Sequence, residues 1–108
     1  MTRYDILNEH KYIRLVKNEF LTSFNIKKHK DICDELDTNF ETYVLQVNEG
    51  IENLLNQKGT LKSNKTMVKT ALLRLEDLGM EYLKKLNKGA FHLNRYEIKL
   101  NALKRIVR

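Results

Sequence analysis

Residues 29–57 read HKDICDELDTNFETYVLQVNEGIENLLNQ. Within them Cys33, Leu36, Phe40, Tyr43, Val47, Ile51 and Leu54 follow one another at steps of three and four. That spacing brings side chains to one face of an α-helix, so the stretch predicts helix held together by a single apolar seam. One long helix or two shorter ones satisfy the pattern. Thr38-Asn39-Phe40-Glu41 has the form of a capping box, which would start a second helix at Thr38. Gly50 costs about 1 kcal/mol relative to Ala in a helix interior, a second point of weakness. The seam is also long for a small domain. Surplus apolar stripes are commonly buried between subunits, so it predicts a homodimer.

Towards the N-terminus, residues 4–22 carry Tyr12, Leu15, Val16 and Phe20 at helical spacing, with Leu7 a turn earlier. Ser23-Phe24-Asn25 then leads into a basic patch, Lys27-Lys28-His29-Lys30. Towards the C-terminus, Gly59 and the polar run Thr60-Leu61-Lys62-Ser63-Asn64 form the clearest break in the chain. Ser63 or Asn64 can cap the helix that follows. That helix turns Val68, Ala71, Leu72 and Leu75 inward. It ends at Gly79 if this glycine is a left-handed cap, or near Leu86 if Tyr82, Leu83 and Leu86 extend its stripe. The last stretch reads two ways. Leu93, Tyr96, Leu100, Leu103 and Val107 make a helical seam, while Tyr96, Ile98 and Leu100 alternate as a strand would, after a turn at Asn87-Lys88-Gly89. The expectation is a mainly α fold: one domain spanning residues 1–108, with about four helices and a β-hairpin at 82–98 as an option.

Composition agrees with a helical globular domain. Pro and Trp are absent and only four Gly occur in 108 residues, so little in the chain breaks a helix. No stretch reaches the roughly 18 apolar residues that a membrane span needs, and the first residues lack the pattern of a signal peptide. A lone cysteine, Cys33, excludes an internal disulfide and fits a reducing, cytoplasmic location. Net charge is +6, unevenly placed. Residues 31–57 hold seven acids (Asp31, Asp34, Glu35, Asp37, Glu41, Glu49, Glu52) and no Lys or Arg, whereas residues 58–108 hold thirteen bases against four acids. Such a basic half suits a polyanion, because phosphate neutralisation supplies most non-specific affinity for nucleic acid. Alternatively, basic and acidic segments fold against one another and cancel.

The segment NKTMVKTALLRLEDLG, residues 64–79, resembles the recognition helix of winged helix-turn-helix proteins. Asn64 would be the polar cap, Val68, Leu72 and Leu75 the buried positions, and Leu75-Glu76-x-x-Gly79 the exit. Residues 82–98, with Lys88-Gly89 at the tip and Asn94-Arg95-Tyr96 at the return, are similar to a basic wing; the resemblance covers roughly residues 48–98. It implies a small DNA-binding regulator, such as a repressor or a replication accessory of a mobile element. The nucleic-acid contacts would come from Lys62, Asn64, Lys65, Thr66, Lys69 and Thr70 on the helix, which would read the major groove. Lys84, Lys85, Lys88 and Arg95 on the wing would grip the backbone. The rival expectation is a helical adaptor or inhibitor with no affinity for nucleic acid, presenting the apolar seam and acidic face of residues 29–57 to a basic partner.

Chemistry is thinly provided. His10, His29 and His92 are scattered, with no metal-binding spacing, and there is no Gly-rich phosphate loop. Cys33 sits on the apolar seam as a small core residue would. Asp31 and Asp34 lie at a helix start, where the helix dipole favours them without any metal. No enzyme, metal site or cofactor is expected. Tyr82, Phe91 and Tyr96 interleave with Lys and Arg, as stacking groups do in single-strand binders, although such spacing also suits core residues.

Overall fold

Five helices carry the chain: α1 (Arg3–Leu21), α2 (Lys30–Leu36), α3 (Phe40–Leu55), α4 (Leu61–Lys85) and α5 (Ala90–Ile106). This computed structural model describes residues 3–108, with side chains from His10 onward, so Leu7 of the expected α1 stripe lies outside the described side chains. Helix takes 78% of the chain and no strand occurs among the described residues. The mainly α expectation holds. The hairpin option at 82–98 does not: those residues finish α4, turn, and begin α5. Tyr96 and Leu100 are buried while Ile98 is exposed, which is the helical pattern.

The long seam is broken in two by Asp37. Its backbone is extended, its carboxylate accepts from the Asn39 N–H at 2.7 Å and its carbonyl accepts from the Phe40 N–H at 3.0 Å. Asp37 therefore ends α2 and starts α3, the turn chemistry expected of Asp; Thr38 caps nothing. Further along, α4 is capped by Thr60, whose hydroxyl accepts from the Ser63 N–H at 3.1 Å, and not by Ser63 or Asn64. Thr60→Ala is expected to lower stability by about 1 kcal/mol, read as a drop in the thermal midpoint. An unchanged midpoint would show that the cap contributes nothing.

Gly79 is not an exit. α4 continues through it to Lys85, and the left-handed residue that ends α4 is Asn87, at φ 60°. The Asn87 N–H donates to the Lys84 carbonyl (2.9 Å) and the Lys88 N–H to the Leu83 carbonyl (3.0 Å), the two bonds of a Schellman motif. The end of α3 repeats it with Gln57 at φ 57°, where Gln57 N–H donates to Leu54 and Lys58 N–H to Asn53.

α3 and α4 lie side by side as an antiparallel pair. Asn53 bonds Asn64 near the turn, Gly50 meets Val68 midway, and the Phe40 ring stacks on Tyr82 at 5.7 Å at the far end. Those contacts extend over about 20 Å of helix at 1.5 Å per residue. A helix-turn-helix pair crosses steeply and would have parted over that length. The apolar seam is thus consumed inside the chain: Phe40, Val47 and Ile51 join Val68, Leu72 and Leu75 in one core. That removes the surplus stripe from which a homodimer was expected. α1 and α5 complete the core with Ile13, Val16, Phe20, Tyr96, Leu100 and Leu103. The inward face of α1 is rotated from the expected one, because Tyr12 and Leu15 are exposed whereas Ile13 and Lys17 are buried. Among the described residues no helix is long and apolar enough to cross a membrane.

Candidate functional site

The turn after α1 and the turn before α5 enclose a polar cleft. Tight bonds end α1: Thr22 N–H to Asn18, Ser23 N–H to Phe20 and Phe24 N–H to Leu21, which drop the Phe24 ring into the core. Asn25 then organises the next turn. Its N–H donates to the buried Tyr82 hydroxyl at 2.9 Å, its side-chain oxygen accepts from Lys28 N–H at 3.2 Å, and its carbonyl accepts from His29 N–H at 3.0 Å. The basic patch is thereby held against the end of α4. From the other side, the Schellman turn at Asn87 delivers Lys88 to the same place.

The cleft consists of two adjoining recesses of about 230 and 380 Å³ that share Thr22, Ser23 and Lys88. Lys88, His92, Arg95 and Lys99 edge the first, recurring at steps of four, three and four so that they form one stripe leading onto α5. Lys28 and His29 edge the second. Among the described residues no carboxylate lines either recess. Lys28, Lys88, Arg95 and Lys99 take part in no ion pair among the described residues. Lys99 Nζ lies 3.4 Å from the Glu19 carbonyl, which also accepts from the Thr22 hydroxyl at 2.8 Å.

The expected nucleic-acid contacts divide into three groups. Lys88 and Arg95 lie in the cleft. Lys62, Thr66, Lys69 and Thr70 are exposed on the first half of α4, remote in sequence from the cleft and lining none of its recesses. Four others are spoken for or solvated at a helix end. Asn64 is buried and its amide donates to the Lys58 carbonyl at 2.6 Å, so it holds the α3–α4 turn and offers nothing outward. Lys65 Nζ donates to the Arg108 carbonyl at 2.9 Å, and Lys85 pairs with Glu35 at 3.5 Å. Lys84 and Lys85 occupy the last turn of α4, where cations complement the helix dipole. Lys28, His29, His92 and Lys99 belong to the cleft although none was among the expected contacts, Lys28 and His29 reading in the sequence only as part of a basic patch. For His92 and Lys99 the signal was present in the four-three-four spacing from Lys88 to Lys99, legible once 88–99 is taken as helix and not as a wing.

Elsewhere the charges are structural. Arg14 and Lys17 of α1 bind the Glu52 carboxylate of α3, at 2.9 and 2.5 Å. Acidic and basic segments therefore cancel in part, through Glu52 and Glu35, but not at the cleft. Burial pushes the Cys33 thiol up from its ordinary pKa, and Asp34, Glu41 and Asp31 add to the effect; a protonated core thiol is a poor nucleophile. No family model, curated protein or solved structure matches this chain.

Proposed function

We propose that this protein is a small nucleic-acid-binding regulator that grips the DNA backbone in the cleft between the α1–α2 turn and α5. One observation carries the reading. Lys28 and Lys88, sixty residues apart in sequence, line one recess, and Lys88 lines the adjoining one with Arg95 and Lys99, with no carboxylate among the described residues of either lining. Like charges assembled without a counter-charge repel, and an anion placed among them is correspondingly attracted. Thr22 and Ser23 add hydroxyls of the kind that position phosphates. The exposed row Lys62, Thr66, Lys69 and Thr70 on α4 is a second surface for DNA, convex and without such convergence. Any role as repressor or replication accessory rests on the same contacts.

Charge reversal distinguishes the two surfaces. Lys88→Glu/Arg95→Glu is expected to weaken binding to random duplex DNA at low salt by at least about tenfold, and to reduce the salt slope by about two, one for each lost phosphate contact. Lys62→Glu/Lys69→Glu, an equal change of charge on α4, is expected to matter less. All four residues are exposed, so thermal stability should be unchanged. The reverse ranking would move the site to α4. A parent protein that ignores DNA at low salt would sink the proposal and leave the adaptor reading. In that event the surface to probe is the acidic face around Asp31, Asp34 and Glu41, since the apolar seam beneath it is already covered by α4.

A further inference from the structure

Five aromatic side chains form the centre of the core, while Phe91 stands apart from them. Phe20, Phe24, Phe40, Tyr82 and Tyr96 interlock in the core, with ring centroids 5.3 to 5.8 Å apart. Phe91 is 66% exposed and joins none of them. It stands in the first turn of α5, where two neighbours hold its ring. The Arg95 guanidinium lies over it at 5.5 Å from the centroid, and the His92 ring meets it edge-on at 5.6 Å. Arg95 and His92 are also walls of the cationic cleft. An exposed phenylalanine alone is ordinary. One that shares a cation with a cationic recess is placed where a strand's bases would fall when its backbone enters that recess.

We infer that the cleft takes single-stranded nucleic acid, with Phe91 as the platform on which one unpaired base stacks. The inference rests on the proposed function and adds the form of nucleic acid to it. A duplex keeps its base faces stacked inside and offers only phosphates to the cleft, so Phe91 contributes nothing to its binding. A single strand exposes base faces, and stacking on an aromatic ring is tolerant of sequence. Arg95 covers one face of the ring, which leaves the other to the base. The guanidinium, the phenyl ring and the base then form a three-layer stack beside the phosphates that Lys88 and Lys99 neutralise.

The test uses the full chain and one labelled mixed-sequence DNA oligonucleotide, presented single-stranded and annealed to its complement, at the same low salt concentration. The parent is expected to bind the single strand more tightly than the duplex. Phe91→Ala is expected to weaken single-strand binding by about 5- to 150-fold, the range for loss of one stacked base, and to leave duplex binding within about twofold. Phe91→Trp should retain single-strand binding, because a larger ring stacks at least as well. An unchanged thermal midpoint in each variant shows that the fold is intact. Equal loss on both forms, no loss on either, or a parent that prefers the duplex overturns the inference. If Phe91→Ala changes nothing while Lys88→Glu/Arg95→Glu abolishes binding to both forms, the stacking inference fails and the cleft reading stands. A parent that binds neither form overturns both.

Discussion

Glu52→Ala is expected to lower the unfolding free energy by about 3 kcal/mol, the lower end of the range for breaking a buried ion pair. The reason is Lys17, whose side chain is buried among α1 and α3 with its ammonium on the Glu52 carboxylate. Without that carboxylate the ammonium is charged, desolvated and unpaired. Arg14, more exposed, can turn to solvent. Lys17→Met is expected to cost much less than Glu52→Ala, because it removes the buried charge, keeps the apolar stem, and leaves Glu52 partly exposed and paired with Arg14. The same pair has a pH signature. The hydrogen bond from Lys17 holds the Glu52 carboxyl below its ordinary pKa, outweighing the burial that would raise it. A carboxyl with a depressed folded-state pKa contributes stability that is fully present above its unfolded value, about 4.3. That contribution is lost as pH falls through the folded value. Denaturant unfolding on the acid side should therefore show a stability loss in the parent that Glu52→Gln lacks. Equal stability of Glu52→Ala and parent would mean that the pair behaves as a surface salt bridge.

Gly79→Val is expected to cost about 3 kcal/mol, the upper part of the range for overpacking a core. α4 needs glycine there for space, since its backbone conformation at Gly79 is ordinary helix. A Cβ at this position would overlap the Tyr96 hydroxyl and the ring carbon that bears it. Tyr96 is fully buried, stacked on Phe20 at 5.4 Å, and donates its hydroxyl proton to the Leu75 carbonyl, so it has nowhere to go. Gly79→Ala is expected to cost less, because alanine regains about 1 kcal/mol of helix propensity. Tyr96→Phe removes the nearest clashing atom at the expense of one hydrogen bond, about 1 kcal/mol. Gly79→Ala and Tyr96→Phe should therefore be non-additive, the double variant being more stable than the sum of the singles predicts. Additive losses would show that Tyr96 does not set the requirement for glycine. Burial, with Glu76 and Asp77 adding to it, raises the Tyr96 phenol's pKa above its ordinary value and so keeps it a donor at neutral pH.

Helix content was written in the sequence, because periodicity and the absence of proline are local properties. The seam from Cys33 to Leu54, the stripe from Val68 to Leu75 and the stripe from Leu93 to Val107 all became core-facing sides of helices. Local chemistry also marked the break at Gly59, whereas at Thr38 it left one helix or two equally open; Asp37 carries that turn and Thr60 caps α4. Four matters were decided only by tertiary contact. Whether Gly79 ends a helix depends on Tyr96, seventeen residues away, which occupies the space a side chain would take. Whether α1 turns Leu15 or Ile13 inward depends on how Ile13, Val16 and Phe20 fit into the shared core, a face on which Lys17 also meets Glu52. Whether the long seam seeks a second copy depends on α4 folding back along it. The cleft, finally, brings Lys28 to the stripe of Lys88, Arg95 and Lys99, with which no local pattern connects it. Charge composition predicts that cations are plentiful, but their convergence is set by the two turns that the packing of α1, α4 and α5 brings face to face.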